Sequence, residues 1–383
     1  MRSRREGVLF TVIVTLAMLV GAGLIGLVLV GQGAPGAVVV GTLLAAVPVA
    51  PLIGCYLWLD RYEPEPRSLL ALGLGWGAFV ATSGALLLQL FDHFVLDATR
   101  AFEGTVVAPL TEEAAKGVFV LLLLFFRRRE LDGILDGIVY AGMVGIGFAF
   151  TENILYLTSA YLGEHGNAGG VGGAVQLFIL RCVFSPFAHP FFTAFTGIGI
   201  GLAVTARSHT VRFLAPIVGF AIAVVLHGLW NASLMLHGGR AAVGAYLLLM
   251  VPAFLLVVAF AIWARQHERR ILTTALLDCA RRGFLDPREI PWLVGLGARR
   301  ACRAHARRVA GPAGEKAMAD YQREAIKLGF LHHRYLRGSA PAGFAAQGQE
   351  YVDNLRSLRP SLVWPYTGPQ LTAGAVRPSG GSW

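Results

Sequence analysis

The sequence predicts an all-α, polytopic membrane bundle of about eight transmembrane helices, followed by a basic, helical, water-soluble tail. Hydrophobic residues make up 55% of the chain and charged residues only 15%, whereas soluble domains carry roughly 25% charged residues. The charge is also uneven, because 19 of the 33 basic and 9 of the 23 acidic residues lie from residue 265 onward. Composition therefore separates a neutral membrane domain, 1–264, from a tail, 265–383, that carries the whole net charge of +10.

Eight apolar stretches are long enough to cross a bilayer, which takes about 20 mostly apolar residues. The first is too long for a signal-peptide core and no cleavage site follows it, so we interpret it as an anchor. The sixth is too long for one straight helix, and Pro186 and Pro190 predict a break within it. The predicted spans are about 8–30, 37–59, 68–91, 104–126, 134–160, 174–206, 211–236 and 241–264.

Every second loop between the predicted spans contains more arginines than its neighbours. The run Arg127–Arg129 contrasts with single arginines at Arg100 and Arg240 on the opposite side. Because positively charged loops stay in the cytoplasm, we predict a multi-pass cell-membrane protein with both termini cytoplasmic. The basic tail would then face the anionic lipid surface of the inner leaflet. No motif or aromatic interleaving supports a nucleic-acid partner.

The tail reads as two helical stretches, about 266–283 and 298–337, separated by a turn-rich segment that contains Asp286 and Pro287. After Gly338 the composition shifts to Gly, Ala, Pro, Gln and Ser. Segments of that composition bury too little apolar surface to fold, so we expect the residues beyond about 337 to be largely disordered.

Ionisable side chains interrupt four of the predicted spans. Such a group costs roughly 2.5–3.5 kcal/mol at the centre of a membrane helix and normally marks function. The four motifs are Thr-Glu-Glu-Ala-Ala-Lys at 111–116, Ala-Phe-Thr-Glu-Asn at 149–153, Phe-Ser-Pro-Phe-Ala-His-Pro at 184–190 and His-Gly-Leu-Trp-Asn at 227–231.

The predicted orientation places these groups at one depth. Counted along each helix at 1.5 Å per residue, Glu112 and Glu152 lie about eight residues below the outer surface, His227 about nine and Asn231 about five. His189 enters from the same side in a kinked segment. We therefore expect one polar chamber in the outer half of the bilayer.

The chemistry open to these residue types is narrow. A carboxylate with an imidazole can take a proton from water, and imidazole and amide groups can stabilise an oxyanion. Alternatively, histidine and glutamate can hold a divalent metal with an open position for water. Either route hydrolyses a peptide bond, while the absence of H-E-x-x-H and G-x-S-x-G leaves zincin and serine-hydrolase mechanisms without support; Ser185 has only His189 as a base.

Within the fourth span, the sequence suggests separate roles for the two glutamates. Residues four apart share a helix face, so we expect Glu112 to pair with Lys116. Two adjacent carboxylates cannot both ionise cheaply in a low dielectric, which leaves Glu113 freer to act on water. If a metal such as zinc is bound, we expect Glu113, His189 and His227 to be its ligands.

Two other functions use the same residues. A proton-coupled transporter could use the Glu and His side chains as a relay, but such folds usually contain internal repeats and none is found. A non-catalytic scaffold could use them as a polar network that holds the bundle together. Substitution of Glu113 and His227 by Ala separates these alternatives, because a scaffold should tolerate both changes.

Taken together, the four motifs in this order resemble the PrsW family of intramembrane proteases over about residues 45–240. That family is distantly similar to the CAAX prenyl endopeptidase and bacteriocin-processing superfamily. The resemblance implies that Glu112 and Glu113 are the essential acidic pair, that His189 and His227 serve the reactive water, and that Asn231 binds the oxyanion. Glu152 matches an additional acidic motif, with Asn153 as its neighbour.

The resemblance also implies a substrate class: single-span membrane proteins such as anti-sigma factors, cleaved near the extracytoplasmic surface. The superfamily often has an arginine after the glutamate pair, at another spacing. Here the base is Lys116, which fits the PrsW branch and makes prenyl-protein processing the weaker alternative. The resemblance leaves open whether a metal or a glutamate-activated water performs the reaction.

Overall fold

A computed structural model describes most of the chain and shows helices as its only regular elements within the described ranges, so the predicted all-α fold is confirmed. Its residues fall into two compact units, Met1–Asp60 with Glu65–Ala261, and Arg61–Pro64 with Ile262–Trp383. The described residues are 2–62, 64–95, 99–128, 130–131, 133–164, 169–236, 240–338, 340 and 343–365.

Apart from a single helical turn at Arg100–Phe102, nine helices follow one another through the apolar part of the described chain. Two of them, α3 and α9, contain a π-helical turn and two others, α4 and α6, adjoin one, a feature that is frequent at functional sites. The helices are α1 (Arg2–Gly31), α2 (Pro35–Leu59), α3 (Arg67–Phe91), α4 (Ala108–Phe126), α5 (Ile134–Leu162), α6 (Gly170–Phe178), α7 (Ala188–Thr205), α8 (His209–Met235) and α9 (Ala241–Arg281).

Seven helices of the described chain are long and apolar enough to cross a membrane by length and composition, with α6 and α7 counted as one span. The remaining predicted span is α4, which is a helix of 19 residues. It differs from the others in carrying Glu112, Glu113 and Lys116 among its apolar residues. The chain is therefore a multi-pass helical membrane bundle. Its charged helix, α4, lies within the span that the sequence predicted.

The predicted break in the sixth span is present. α6 continues as a π-helical turn, Ile179–Phe184, and the helical backbone is interrupted at Ser185 before α7 begins at Ala188. Pro186 lies in the interruption, and Pro190 lies in the first turn of α7, where its missing N–H costs little. The break places His189 at the start of a helix.

α5 forms the centre of the bundle and is buried along most of its length. Glycines allow α7 to approach it closely. Gly137 and Gly197 bring the two backbones into direct contact, and a methyl group on Gly145 would lie 2.7 Å from the backbone nitrogen of Pro190. Small residues at such crossings are typical of membrane helix packing. Here they allow α7, which carries His189 in its first turn, to pack closely against α5.

Large apolar side chains cover the outside of the bundle. Leu19, Leu27 and Val30 of α1 are each more than 60% exposed, as are Phe213 of α8 and Leu248 of α9. A water-soluble protein rarely exposes contiguous apolar surface on this scale. The exposed surface therefore fits a hydrocarbon environment.

The tail unit differs from its prediction in two ways. The first predicted tail helix is part of α9, which runs without interruption to Arg281, and the second is α11 (Leu296–Leu336), bent at Gly311. A short α10 (Ile290–Val294) precedes it.

A further helix, α12 (Phe344–Leu358), lies where disorder was expected. Val352 and Leu355 of α12 are buried in a core that includes Leu276 and Tyr321. This apolar face explains why the helix forms despite the composition around it. The predicted disorder at 366–383 lies outside the described residues.

Candidate active site

Five ionisable side chains from four helices, four of them buried and Glu152 partly buried, meet inside the bundle, with Lys116 between them. Helices α4, α5, α7 and α8 each supply part of the set, as the sequence predicted from matched depth. The members are Glu112, Glu113 and Lys116 of α4, Glu152 of α5, His189 of α7 and His227 of α8. We refer to these six side chains as the central cluster.

Glu113 is held on both of its carboxylate oxygens. Its Oε1 accepts from Lys116 Nζ at 2.8 Å and lies 3.1 Å from His227 Nδ1, while its Oε2 accepts from Thr193 Oγ1 at 2.9 Å. The side chain is completely buried. Three partners on three helices give Glu113 a fixed geometry and leave its oxygens little capacity for water.

The predicted Glu112–Lys116 pair is present, but Lys116 lies closer to Glu113 than to Glu112. Lys116 Nζ lies 3.4 Å from Glu112 Oε2, farther than from Glu113. The ammonium also lies 3.7 Å from the ring centre of Phe148, a cation–π arrangement. Residues three apart on a helix share a face as well as residues four apart, and Thr193 and His227 draw the Glu113 carboxylate into position beside the ammonium.

Glu112 has weaker contacts and faces an imidazole acceptor. Its Oε1 lies 3.4 Å from Gln89 Nε2, and its Oε2 lies 3.8 Å from His227 Nε2. His227 Nδ1 donates to the carboxylate of Glu113, so Nε2 is an acceptor whenever the ring carries a single proton. A carboxylate oxygen and an imidazole lone pair thus point towards each other at a separation that suits a shared water or a cation.

His189 uses the opposite ring nitrogen. Its Nε2 lies 2.8 Å from Glu152 Oε2, and its Nδ1 lies 3.1 Å from Lys116 Nζ. Because the carboxylate can only accept and the ammonium can only donate, the pattern assigns the proton to Nε2 and the lone pair to Nδ1. The two histidines therefore present different nitrogen atoms to the centre of the cluster.

The structure groups Glu112, His189 and His227 as possible metal ligands, with one donor atom of each within 4.8 Å of the others. The predicted ligand set had Glu113 in place of Glu112. Glu113 instead has hydrogen-bond partners on both carboxylate oxygens. Two imidazoles and one carboxylate form a ligand set typical of catalytic zinc.

Two other predicted site residues lie at the edge of the cluster. Asn231 Nδ2 donates to the carbonyl of Gly104 at 2.9 Å, so the amide joins α8 to the segment before α4. Asn153 Oδ1 accepts from Arg181 Nε at 2.6 Å. Neither amide contacts the carboxylates of the cluster among the contacts of the described residues.

Several neighbours of the cluster were not identified from the sequence. Arg181, on the π-helical turn after α6, forms an ion pair with Glu152. The signal was present, because an arginine inside an apolar run meets the same criterion that singled out Glu112. Thr193 and Phe192 gave no signal of their own: a threonine or phenylalanine in a span is ordinary, although Phe192 stacks on His227 with ring centroids 4.9 Å apart.

The comparisons with known proteins agree on one family. The sequence model described as PrsW family intramembrane metalloprotease matches residues 65–257, which is half of the chain. The matched region contains every residue of the central cluster. The tail beyond 257 lies outside it.

Curated relatives give the same result. The chain is 31% identical over 201 residues to Protease PrsW of Clostridioides difficile, covering 51% of this chain and 79% of the relative. It is 28% identical over 237 residues to Protease PrsW of Oceanobacillus iheyensis, covering 60% of this chain and 98% of the relative. No solved structure matches the chain. The predicted resemblance is thereby confirmed, and the chain belongs to the PrsW family of intramembrane proteases.

Proposed function

We propose that the protein hydrolyses a peptide bond in single-span membrane proteins, close to the extracytoplasmic face, by means of a water activated between Glu112 and His227. Anti-sigma factors are the substrates that the family resemblance implies. The arginine pattern of the loops supports an outward-facing site. The proposal reverses the predicted roles of the two adjacent glutamates.

The contrast between Glu112 and Glu113 carries this proposal. Glu113 is fixed by Lys116, Thr193 and His227, whereas Glu112 Oε2 faces His227 Nε2 at 3.8 Å. A general base must be within hydrogen-bond reach of the proton that it removes. Glu112 meets that requirement for a water held by the imidazole, and the rigidly bonded Glu113 orients the ring.

The reaction then follows the ordinary course of amide hydrolysis. The water oxygen attacks the carbonyl carbon as its proton passes to Glu112, and negative charge develops on the former carbonyl oxygen. Lys116 is the buried cation nearest to this charge and stabilises it electrostatically. The C–N bond breaks as Glu112 returns the proton to the leaving nitrogen.

A divalent metal fits the same residues by donor type. Glu112, His189 and His227 would hold it, with Glu113 and Glu152 as the carboxylates that orient the two imidazoles, an arrangement common around catalytic metals. Among the described side chains of the cluster and its rim, three carboxylates face two basic side chains, Lys116 and Arg181, so the site favours added positive charge. A bound metal would act as a Lewis acid and lower the pKa of its water.

The test uses the purified full-length protein in vesicles with a panel of single-span reporter proteins tagged on both sides of the span. We expect the wild type to cleave a member of the panel and Glu112→Gln to lose nearly all turnover while remaining folded. Glu164→Gln, at an exposed glutamate, serves as the matched control and should retain activity. Turnover by Glu112→Gln at the wild-type rate would rule out Glu112 as the base.

The same assay addresses the metal. Treatment with a chelator and restoration by zinc would support metal-assisted hydrolysis, whereas chelator-resistant cleavage would support activation of water by Glu112 alone.

A further inference from the structure

Arg181 is a charged side chain inside an apolar segment, and its surroundings explain its presence. Its Nε donates to Asn153 Oδ1 at 2.6 Å, its Nη2 donates to Glu152, and its guanidinium lies 4.3 Å from the ring centre of Tyr156. All three partners belong to α5. The side chain is only 20% exposed.

The adjacent residues Glu152 and Asn153 match the geometry of one guanidinium. Arginine presents several N–H groups in a rigid, planar fork, whereas lysine offers a point charge on a flexible chain. Two neighbouring acceptors together with an aromatic face therefore select arginine. The arrangement leaves the Glu152 carboxylate with one fixed orientation, in which Oε2 also faces His189 Nε2 at 2.8 Å.

We propose that Arg181 is a positioning residue that holds Glu152 so that His189 keeps its proton on Nε2 and directs Nδ1 into the central cluster. This inference rests on the proposed function only in taking His189 to be part of the active site. Without Arg181, the Glu152 carboxylate loses the donor that fixes its rotation, and Lys116, 3.1 Å from Nδ1, is the one remaining contact that favours the Nε2–H tautomer among the described contacts of His189. His189 would then present the wrong nitrogen for part of the time.

The first measurement reports the tautomer directly. Full-length protein labelled with ¹⁵N-histidine is reconstituted in vesicles, and solid-state NMR distinguishes protonated from unprotonated ring nitrogens. The signals of His189 are assigned by their loss in His189→Gln. We expect a single Nε2–H form in the wild type and a mixture of both tautomers in Arg181→Gln.

The second measurement is cleavage of the reporter that the wild type processes. Arg181→Gln should lower kcat by about 10- to 100-fold, the range seen when groups that orient catalytic histidines are removed, with KM unchanged. Arg181→Lys keeps the charge but not the fork, so we expect an intermediate kcat and partial loss of the single tautomer. Arg100→Gln, at an exposed arginine, should change neither measurement.

The outcomes separate the two proposals. A fixed Nε2–H tautomer in Arg181→Gln would overturn the positioning role, and so would Arg181→Lys matching the wild type in both tautomer and kcat, because charge alone would then suffice. If no reporter is cleaved by the wild type but the tautomer changes in Arg181→Gln, the role of Arg181 stands and the proposed substrate class fails.

Discussion

At the scale of single residues, two neighbouring glutamates of the same helix occupy different environments. Glu113 points to α7 and α8, where Thr193 and His227 bind it, and Glu112 points towards Gln89 of α3. A rotation of about 100° per residue separates their side chains. Glu113 thus has a structural role, whereas we propose that Glu112 takes part in the reaction.

The first prediction concerns the structural role of Glu113. Glu113→Gln leaves Lys116 without its closest counter-ion in a fully buried site, so we expect the free energy of unfolding to fall by about 3–5 kcal/mol. Thr193→Val removes one hydrogen bond to the same carboxylate and should cost about 1–3 kcal/mol. Equilibrium unfolding in detergent measures both, with Glu112→Gln as the comparison. A Glu113→Gln variant that is stable but inactive would return the catalytic role to Glu113.

The second prediction concerns Asp60, which follows the last residue of α2. Burial raises the pKa of Asp60 to about 7, and its carboxylate accepts from the backbone N–H of Glu65 at 2.9 Å. Because the pKa of Asp60 is higher in the folded than in the unfolded protein, the contribution of Asp60 to the free energy of unfolding is fully present below about pH 4. This contribution is lost as the pH rises through about 7. Asp60→Asn should therefore remove this dependence and stabilise the protein at pH 8 by about 2–4 kcal/mol. Unfolding at pH 5 and pH 8 measures the difference, and an equal effect at both values would contradict it.

At the scale of elements, the position of His189 depends on contacts between backbones. The interruption at Ser185 starts α7 next to the cluster, and the glycines of α5 allow that start to approach closely. The π-helical turn that carries Arg181 precedes the same interruption. An irregular segment thus carries two polar groups that a continuous helix would place elsewhere.

The third prediction tests this approach. In Gly145→Ala, the added methyl group would lie 2.7 Å from the backbone of Pro190, so α7 must shift together with His189. We expect a loss of both stability and turnover. Gly84→Ala is the matched control because, beyond the adjacent residues and backbone of its own helix, nothing lies within 4 Å of its added methyl group; there alanine should be neutral or stabilising by up to about 1 kcal/mol. Equal turnover in both variants would contradict the role of the contact.

The fourth prediction concerns the basic side of α11, where Arg300, Arg307 and Arg308 are exposed. We propose that the tail lies against the anionic leaflet, since each basic residue near such a surface contributes about 1 kcal/mol. In vesicles with anionic lipid, hydrogen exchange of α11 should be slower than in neutral vesicles. The difference should disappear in Arg307→Glu combined with Arg308→Glu, and its persistence in that variant would contradict the proposal.

At the scale of the whole molecule, the fifth prediction is the topology. The alternating arginines predict that reporter fusions after Arg128 lie in the cytoplasm and that fusions between Gly163 and Gly169 lie outside. Matched pairs of reporters that are active on opposite sides measure both positions. The opposite result would overturn the orientation and, with it, cleavage near the extracytoplasmic face.

Much of the architecture could be predicted because a membrane leaves a strong signal in composition and spacing. The helices, the break before His189 and the meeting of charged groups from successive spans all follow from apolar length, proline positions and matched depth. The partners within the cluster could not be predicted. Whether Glu112 or Glu113 is nearer to Lys116 depends on Thr193 and His227, which approach from other helices. Helix α12 was not predicted because it has few apolar residues, and they favour a helix only where they pack against the core of the tail.

The charged face of α4 also affects how the protein enters the membrane. Three ionisable residues together cost roughly 8–10 kcal/mol on an insertion scale, and the apolar residues of that helix offset only about half of this. Lys116 pairs with both glutamates within α4, but the remaining partners of these side chains come from helices made later, because His189 and His227 are synthesised after α4 has left the ribosome. Insertion of α4 into lipid is therefore unfavourable until the later helices of the cluster are present. We expect membrane insertion to be cooperative over at least five helices, α4 to α8.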